Sequence, residues 1–236
     1  MRRVLPTVLL LLAPLWAHAG SFQVNPIGMT LSAARSTGVL TVTNNSDTPT
    51  VVQLQIVVWS QENGEDVYTA SRNLLATPPI FTVPAGGQQT VRLGLMTRPN
   101  AKQETAYRLF LQQVPPPPQP GLQGLRVLLR IGIPVFVEPA VAAAPDLHWS
   151  VRRLSSTELS VEAMNDGSAH AHIGELTLSK NLHGAALAEQ SGGYVLPGAQ
   201  HAWIFKLAKP LASDTPLTIT AETDRGMLHA QLVPGK

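Results

Sequence analysis

The strongest structural signal in this chain is the stretch Leu125-Arg126-Val127-Leu128-Leu129-Arg130-Ile131-Gly132-Ile133-Pro134-Val135-Phe136-Val137. Read at every second position, it has one face made entirely of aliphatic side chains. This alternation predicts a β-strand, and at about 3.3 Å per residue it would be about 43 Å long, well beyond the usual length of about five or six residues. Two interpretations follow: a long core strand, or a strand whose surplus apolar side chains serve a partner.

The same alternation recurs on both sides of this run, and helix signals are nearly absent. It predicts further strands at 39–43, 51–60, 89–96, 106–114, 147–154, 158–165, 173–179, 202–207, 217–224 and 228–232. Turn-forming clusters lie between the predicted strands, among them Glu62-Asn63-Gly64 and Ser191-Gly192-Gly193. Short strands with such punctuation predict an all-β fold, an antiparallel sandwich or barrel.

A bland connector divides the chain. Pro139 and Pro145 bracket Val141-Ala142-Ala143-Ala144, which has no side chain that must be buried. Each side is long enough for one sandwich. We therefore predict an N-terminal domain over 20–140 and a C-terminal β-sandwich domain over 141–236.

The first residues have the pattern of a secretory signal. Met1-Arg2-Arg3 is followed by an apolar run and then by Ala17-His18-Ala19, small residues at the two positions that signal peptidase reads. The apolar run is about 13 residues, whereas a membrane-spanning helix needs about 20. We expect cleavage after Ala19, export from the cytoplasm and no stable membrane insertion.

Charge and composition exclude several classes of function. Cleavage after Ala19 would remove two of the 17 basic residues and leave 15 against 15 acidic residues, so no excess of positive charge remains to favour nucleic acid. The chain has no cysteine, which excludes disulfides, thiolate metal sites and thiol nucleophiles. Nucleic-acid binding is therefore not expected.

No known catalytic motif is present in the sequence. His170-Ala171-His172 would place two imidazoles on one face of a strand, a spacing that can bind a metal, but no third ligand stands at a fixed spacing. Phosphate loops, nucleophile elbows and zinc-protease motifs are all missing. We predict a protein that is not an enzyme and that needs no cofactor and no metal.

A series of short motifs resembles the PapD-like periplasmic pilus chaperones, the partners of outer-membrane ushers. Each motif is weak alone, but their order and spacing match the family across nearly the whole first domain. They are Phe22-Gln23-Val24-Asn25-Pro26, Leu40-Thr41-Val42-Thr43-Asn44, Val57-Val58-Trp59-Ser60-Gln61, Thr77-Pro78-Pro79-Ile80-Phe81, Pro84-Ala85-Gly86, Gln89-Thr90-Val91-Arg92, Tyr107-Arg108-Leu109-Phe110-Leu111, Val114-Pro115-Pro116 and Ile133-Pro134-Val135-Phe136-Val137-Glu138-Pro139.

This resemblance implies two immunoglobulin-like domains and a role for the long strand. In the family, a pilus subunit lacks the last strand of its own sandwich, and the chaperone lends an edge strand to fill the gap before delivering the subunit to the usher. The resemblance implies that four side chains of this chain enter the subunit: Leu125, Val127, Leu129 and Ile131. Their burial would contribute roughly 6–12 kcal/mol before ordering costs. It also implies a periplasmic location.

The chain departs from the family at the carboxylate anchor. The family holds the terminal carboxylate of the subunit with an Arg in the first strand and a Lys near the end of the donor strand, but the matching positions here are Gly28 and Pro134. We expect Arg108 and Arg130 to replace them, because a buried guanidinium binds a carboxylate bidentately. This departure resembles the divergent branch that serves spore-coat-U-type subunits.

Three further expectations remain open. Ile80 and Val114 match apolar positions beneath surface loops, and we interpret them as core residues first and as usher contacts second. An exposed aliphatic edge strand also allows a self-capping dimer. The alternative function is a secreted two-domain adhesion or carbohydrate-binding sandwich, in which the aliphatic strand is only core.

Overall fold

A computed structural model describes residues 22–116, 127–212 and 214–234. The described residues form 17 β-strands in four sheets. Within these ranges no helix has the length and hydrophobicity needed to cross a bilayer. The predicted signal peptide lies outside the described residues, and the predicted all-β class is confirmed.

The first half of the chain forms a sandwich of two sheets. One sheet has the order β1-β3-β8-β6, and the other has the order β2-β10-β9-β4-β5, with β7 also paired to β4. Its strands are β1 (Phe22–Asn25), β2 (Met29–Leu31), β3 (Thr37–Asn44), β4 (Thr50–Glu62), β5 (Glu65–Ala70), β6 (Leu74–Thr77), β7 (Ile80–Val83), β8 (Gln88–Leu95), β9 (Thr105–Gln113) and β10 (Arg130–Val137).

The core of this sandwich follows from the period-two pattern. Inward-facing residues such as Leu40, Val91, Leu109 and Val135 are at most 1% exposed. The predicted turn after β4 is a two-residue hairpin, with φ values of 54° at Asn63 and 81° at Gly64. Positive φ at both central residues matches the right-handed twist of the flanking strands, which is why an Asn-Gly pair occurs there.

The second half forms another sandwich, with sheets of order β11-β12-β15 and β14-β13-β16-β17. Its core contains Leu159, Val161, Leu176 and Phe205, all fully buried. Its strands are β11 (Leu147–Arg153), β12 (Glu158–Asn165), β13 (Ala171–Ser179), β14 (Ala186–Val195), β15 (Gln200–Lys206), β16 (Leu217–Thr223) and β17 (Gly226–Leu232).

One predicted turn is wrong. Ser191-Gly192-Gly193 lies inside β14, an edge strand paired with β13. A Cβ atom on Gly192 would lie 2.1 Å from the carbonyl oxygen of Ile173, so glycine is needed for close approach of the two backbones and not for a turn. The small and polar residues of β14 gave no alternation by which to recognise a strand.

The two sandwiches are joined by a small cluster of buried side chains. Trp59, Ala106 and Phe136 of the first sandwich pack against Leu196 and Ala199 of the second. Polar contacts surround this joint. The side-chain amide of Gln61 donates from Nε2 to the Tyr194 carbonyl oxygen at 2.9 Å, and its Oε1 accepts the Leu196 N–H at 2.9 Å.

Candidate functional site

Strand β10 is paired along its whole length on one side only. Its register with β9 runs antiparallel from Arg130↔Gln112 to Val137↔Thr105. On its other edge, β2 pairs only with Val135, Phe136 and Val137, in parallel. Within the described ranges no strand pairs with the other edge of 130–134. This half-open edge presents backbone groups that another strand can bind.

The hydrogen-bond pattern shows which backbone groups face the open side. The Gln113 N–H donates to the Leu129 carbonyl oxygen at 3.0 Å, and the Leu129 N–H donates to Gln113 Oε1 at 2.9 Å. Backbone groups alternate in direction along a strand, so the odd-numbered residues of this segment face β9. The N–H and C=O groups of Arg130 and Gly132 therefore face the open edge.

The aliphatic face of the run changes from buried to exposed along its length. Ile133 and Val135 are in the core, and Ile131 and Leu129 are half-buried and line one small cavity. Val127 is 73% exposed. Leu125 lies outside the described residues. The strand predicted from Leu125 is therefore shorter where it is described, since β10 begins at Arg130.

Arg108 lies beside the end of this open edge. It is directly opposite Pro134 in the β9–β10 ladder, and its side chain is 15% exposed. Its guanidinium carbon is 3.8 Å from the ring centroid of Trp59 and 5.8 Å from that of Tyr194. Because Tyr194 belongs to β14, the guanidinium lies in the cleft between the two sandwiches.

Among the described residues no carboxylate is within hydrogen-bond distance of Arg108, whose guanidinium is close to the Tyr68 hydroxyl. The nearest carboxylate is Asp66, with 4.0 Å between Nη2 of Arg108 and Oδ2 of Asp66, which is too long for a hydrogen bond. Asp66 instead accepts hydrogen bonds from the Tyr68 hydroxyl at 3.0 Å and from Gln61 Nε2 at 3.1 Å. A largely buried guanidinium in this environment can donate two parallel hydrogen bonds to a carboxylate.

Two tyrosines near Arg108 have raised pKa values. Burial raises the pKa of Tyr68, the hydrogen bond to Asp66 and its charge raise it further, and the hydrogen bond and charge of Arg108 oppose this rise. Burial also raises the pKa of Tyr194, against the opposing effect of the Arg108 charge. Both hydroxyls therefore remain neutral donors over the physiological range.

Arg130 has a different environment. Its guanidinium carbon is 3.8 Å from the ring centroid of Phe110, and Arg130 itself is exposed. Phe110 is paired with Gly132, so it lies between the two arginines on the outer face of the sheet. The structure thus places both predicted arginines on one face, one in the cleft and one at the open end of β10.

The two positions that lack the family's anchor side chains are adjacent in space. A Cβ atom on Gly28 would lie 3.6 Å from Cγ of Pro134. Arg108 is across the ladder from Pro134, and so its guanidinium is near the place that the missing side chains would occupy. Sequence reasoning missed Trp59 and Tyr194 as neighbours of this site, because no local pattern links positions so far apart.

Ile80 is not a core residue. It is 55% exposed at the start of β7, opposite Gln53 of β4, which corrects the expectation that it packs first in the core. Val114 is half-buried, and its N–H donates to the Val51 carbonyl oxygen at 2.9 Å. Both residues lie beside β4 at one end of the six-stranded sheet, which leaves Ile80 available for a contact.

The two histidines of the His170-Ala171-His172 motif pack against aromatic rings at the joint. His170 Nδ1 is 2.7 Å from Glu104 Oε1, and its ring stacks on Phe136 with 3.5 Å between centroids. His172 stacks on Tyr194 at 4.4 Å. In the part of the chain that is described, no group of three or more His, Cys, Asp or Glu residues could hold a metal ion.

The fold thus combines a half-open edge strand with a largely buried arginine in the cleft between the two sandwiches. The chain belongs to the pili and flagellar-assembly chaperones, since the model of the PapD N-terminal domain matches residues 21–143. This confirms the resemblance found in the sequence. The family is one of chaperones and not a class of enzymes.

Solved structures share this fold over both sandwiches. A chain of the CsuC–CsuE chaperone–tip adhesion subunit pre-assembly complex, from the archaic chaperone-usher Csu pili of Acinetobacter baumannii, has a TM-score of 0.67 and 20% identity over 92% of this chain and 100% of its own. A chain of the complex of the Salmonella enterica SafA pilin with the SafB chaperone has a TM-score of 0.61 and 17% identity over 89% of this chain and 95% of its own. The CupB2 chaperone of Pseudomonas aeruginosa has a TM-score of 0.56 and 18% identity over 88% of this chain and 97% of its own. No curated protein sequence matches significantly.

Proposed function

We propose that this chain is a periplasmic chaperone that binds a pilus subunit by adding β10 to the subunit's sheet and then delivers the subunit to an outer-membrane usher. The observation that carries the proposal is the open edge of β10 at 130–134. Strand addition at such an edge supplies main-chain hydrogen bonds, and alternate side chains supply specificity. Family membership supports the same role.

The aliphatic side chains beside this edge are the ones that would enter the subunit. Val127 is exposed and Leu129 and Ile131 are only half-buried, so each has apolar surface left to bury. Leu125 continues the same face by its position in the sequence. Full burial of an aliphatic side chain contributes about 1.5–3 kcal/mol, and residues that are already half-buried contribute less. The gain is sufficient to cover apolar surface on an incomplete subunit.

Arg108 is the better placed of the two anchor candidates. It is at the inner end of the open edge, largely buried, and has no carboxylate within hydrogen-bond distance among the described residues. A terminal carboxylate at this point would form charge-assisted hydrogen bonds in a site of reduced solvent exposure. Arg130 lies at the outer end of the edge, where its charge would meet the subunit's surface and not its terminus.

We assign the usher contact to the end of the six-stranded sheet that carries Ile80 and Val114. Ile80 presents an exposed apolar side chain there, whereas Val114 stays half-buried beside it. This end of the sheet is away from the joint with the second sandwich, and Ile80 on β7 is separated from β10 by β4 and β9.

The experiment that tests the proposal is a pull-down. The mature chain, residues 20–236, is used as bait in periplasmic extract of its own host, and bound proteins are identified by mass spectrometry. We expect one small secreted β-rich protein in stoichiometric amount. An empty eluate from cells shown to carry surface fibres would contradict the proposal.

A matched pair of variants shows whether β10 is responsible. Val127→Glu places a charge at an exposed position of the aliphatic face, and Val39→Glu does so on β3, where Val39 is 53% exposed. We expect Val127→Glu to lose at least nine-tenths of the captured subunit and Val39→Glu to behave as the wild type. Val127 is preferable to Leu129 because Leu129 lines a cavity of the chain's own sandwich. Equal capture by both variants would contradict the role of β10.

A further inference from the structure

The pairing of β2 with β10 stops at a residue that cannot donate a hydrogen bond. In this parallel ladder Met29 is opposite Val135 and Leu31 is opposite Val137, and the Glu138 N–H donates to the Leu31 carbonyl oxygen at 2.8 Å. Because backbone groups alternate, the nitrogens of residues 136 and 134 face the same side as that of Glu138. Residue 134 is proline and has no N–H.

The chain before β2 nevertheless stays close to this edge. A Cβ atom on Gly28 would lie 3.6 Å from Cγ of Pro134, so the backbone at Gly28 is beside position 134. In a continued ladder the Ile27 carbonyl oxygen would accept the N–H of residue 134. Ile27 and Gly28 instead lie outside any strand, between β1 and β2. These two residues could extend β2 before the chain passes to β1 in the other sheet, but position 134 offers them no donor.

We propose that Pro134 divides the edge of β10 between the chain's own β2 and the added strand of a pilus subunit. It ends the β2 ladder at Met29 and so leaves 130–133 without a strand partner on this edge, up to the residue that faces Arg108. This inference rests on the proposed function, because it takes the guest to be a subunit strand. Proline in an edge strand with its nitrogen on the unpaired side is a known way to stop pairing.

Pro134, which has no anchor side chain, would affect subunit binding through its backbone. An ordinary residue at 134 would supply an N–H to Ile27, and β2 would then grow over the inner end of the edge. The subunit strand would have to end one or two residues earlier, away from Arg108. Pro134 therefore acts as a positioning residue for the subunit's terminus: by preventing the extension of β2, it leaves space for the subunit strand to reach Arg108.

The first test uses the free chain and needs no subunit. Amide hydrogen exchange is followed by NMR in the wild type and in Pro134→Ala. In the wild type, the Gly132 N–H should exchange at least ten-fold faster than those of Ile131 and Ile133, which face β9. In Pro134→Ala the new amide at position 134 should exchange at least ten-fold slower than in an unstructured peptide, because it donates to β2. Exchange of that amide at the unstructured rate would overturn the proposal.

The second test measures capture in the pull-down described above. Pro134→Ala and Pro134→Val are compared with Pro139→Ala, a control just beyond β10, and the melting temperature of each variant is recorded so that loss of fold is recognised. We expect both substitutions at 134 to reduce the recovered subunit at least five-fold and Pro139→Ala to leave it unchanged. Wild-type capture by a folded variant at 134 would overturn the proposal. If even the wild type captures nothing, the proposed function fails, while the exchange experiment still decides the role of Pro134.

Discussion

The guanidinium carbon of Arg108 lies 3.8 Å from the centroid of the Trp59 ring, so a largely buried cation is stacked on a buried aromatic ring. This contact uses the face of the planar guanidinium and not its N–H groups, which lie in the plane of the group. Asp66, at 4.0 Å, balances the charge but forms no hydrogen bond with it. Among the described residues the charge of Arg108 is therefore not neutralised by a hydrogen-bonded carboxylate.

The first prediction concerns this arginine. Arg108→Gln should reduce subunit capture at least ten-fold, because the amide cannot supply the charge-assisted bidentate contact, and Arg108→Lys should restore only part of it. Arg92→Gln, at an exposed position of β8, is the control. Arg130→Gln is measured in parallel, since the sequence also indicated this residue. Capture at the wild-type level by both Arg108→Gln and Arg130→Gln would contradict the anchor assignment.

The second prediction separates delivery from capture. Ile80→Asp should leave subunit binding unchanged, because Ile80 is 55% exposed and lies on β7, away from β10. Surface fibres should nevertheless be lost when this variant replaces the wild type in the host, since the apolar contact with the usher is removed. Leu75→Asp, at a 54% exposed position of β6, provides the matched control. Normal fibres on cells that carry Ile80→Asp would contradict the assignment of the usher contact to this surface.

The third prediction concerns the joint between the sandwiches. Glu104, with 5% of its side chain exposed, accepts a hydrogen bond from the His170 backbone N–H at 3.1 Å and contacts His170 Nδ1 at 2.7 Å. Glu104→Ala would leave both groups without their partner, and we expect a loss of about 1–3 kcal/mol in the free energy of unfolding. Urea unfolding followed by tryptophan fluorescence measures the loss. Glu65→Ala, at an exposed site on β5, should change the free energy of unfolding little. Equal stability of the two variants would contradict the role of Glu104 in stabilising the joint.

The fourth prediction is a dependence of stability on pH. Burial raises the folded-state pKa values of Tyr68 and Tyr194 above the ordinary value of 10.0. The contribution of these groups to stability is therefore complete below pH 10 and is lost as the pH rises through the folded pKa values, because the unfolded chain releases its phenolic protons first. The wild type should lose stability above pH 10 more steeply than the double variant Tyr68→Phe/Tyr194→Phe. Denaturant midpoints between pH 8 and 12 measure this, and parallel curves would contradict it.

Local patterns in the sequence predicted most strands and both faces of β10. β12 runs from Glu158 to Asn165, the same limits that the sequence predicts, and the Asn63-Gly64 turn is a hairpin as expected. Edge strands were harder to recognise. β14 was missed because its small and polar residues do not alternate, and β5 because most of its residues are exposed. Alternation of apolar and polar residues indicates a strand with one buried face, and β5 and β14 have no clearly buried face.

The site was predictable only in part. The side chains at 127, 129 and 131 share a face because the side-chain period of a strand is two, which is a property of the local backbone. The sequence by itself therefore determined the all-β class, the aliphatic face and the position of Arg108 on the neighbouring strand. It also carried the order of motifs that identifies the family.

Only the tertiary structure decided which edge of β10 is open, where β2 stops and what surrounds Arg108. Trp59, Arg108 and Tyr194 meet from β4, β9 and β14, and Gln61 reaches a backbone 133 residues away. Strand pairing and packing between sandwiches depend on non-local contacts, whose partners are chosen by the whole core and not by neighbours in sequence. For that reason the sequence could indicate a strand with a long aliphatic face, while the fold showed which part of its edge has no strand partner among the described residues.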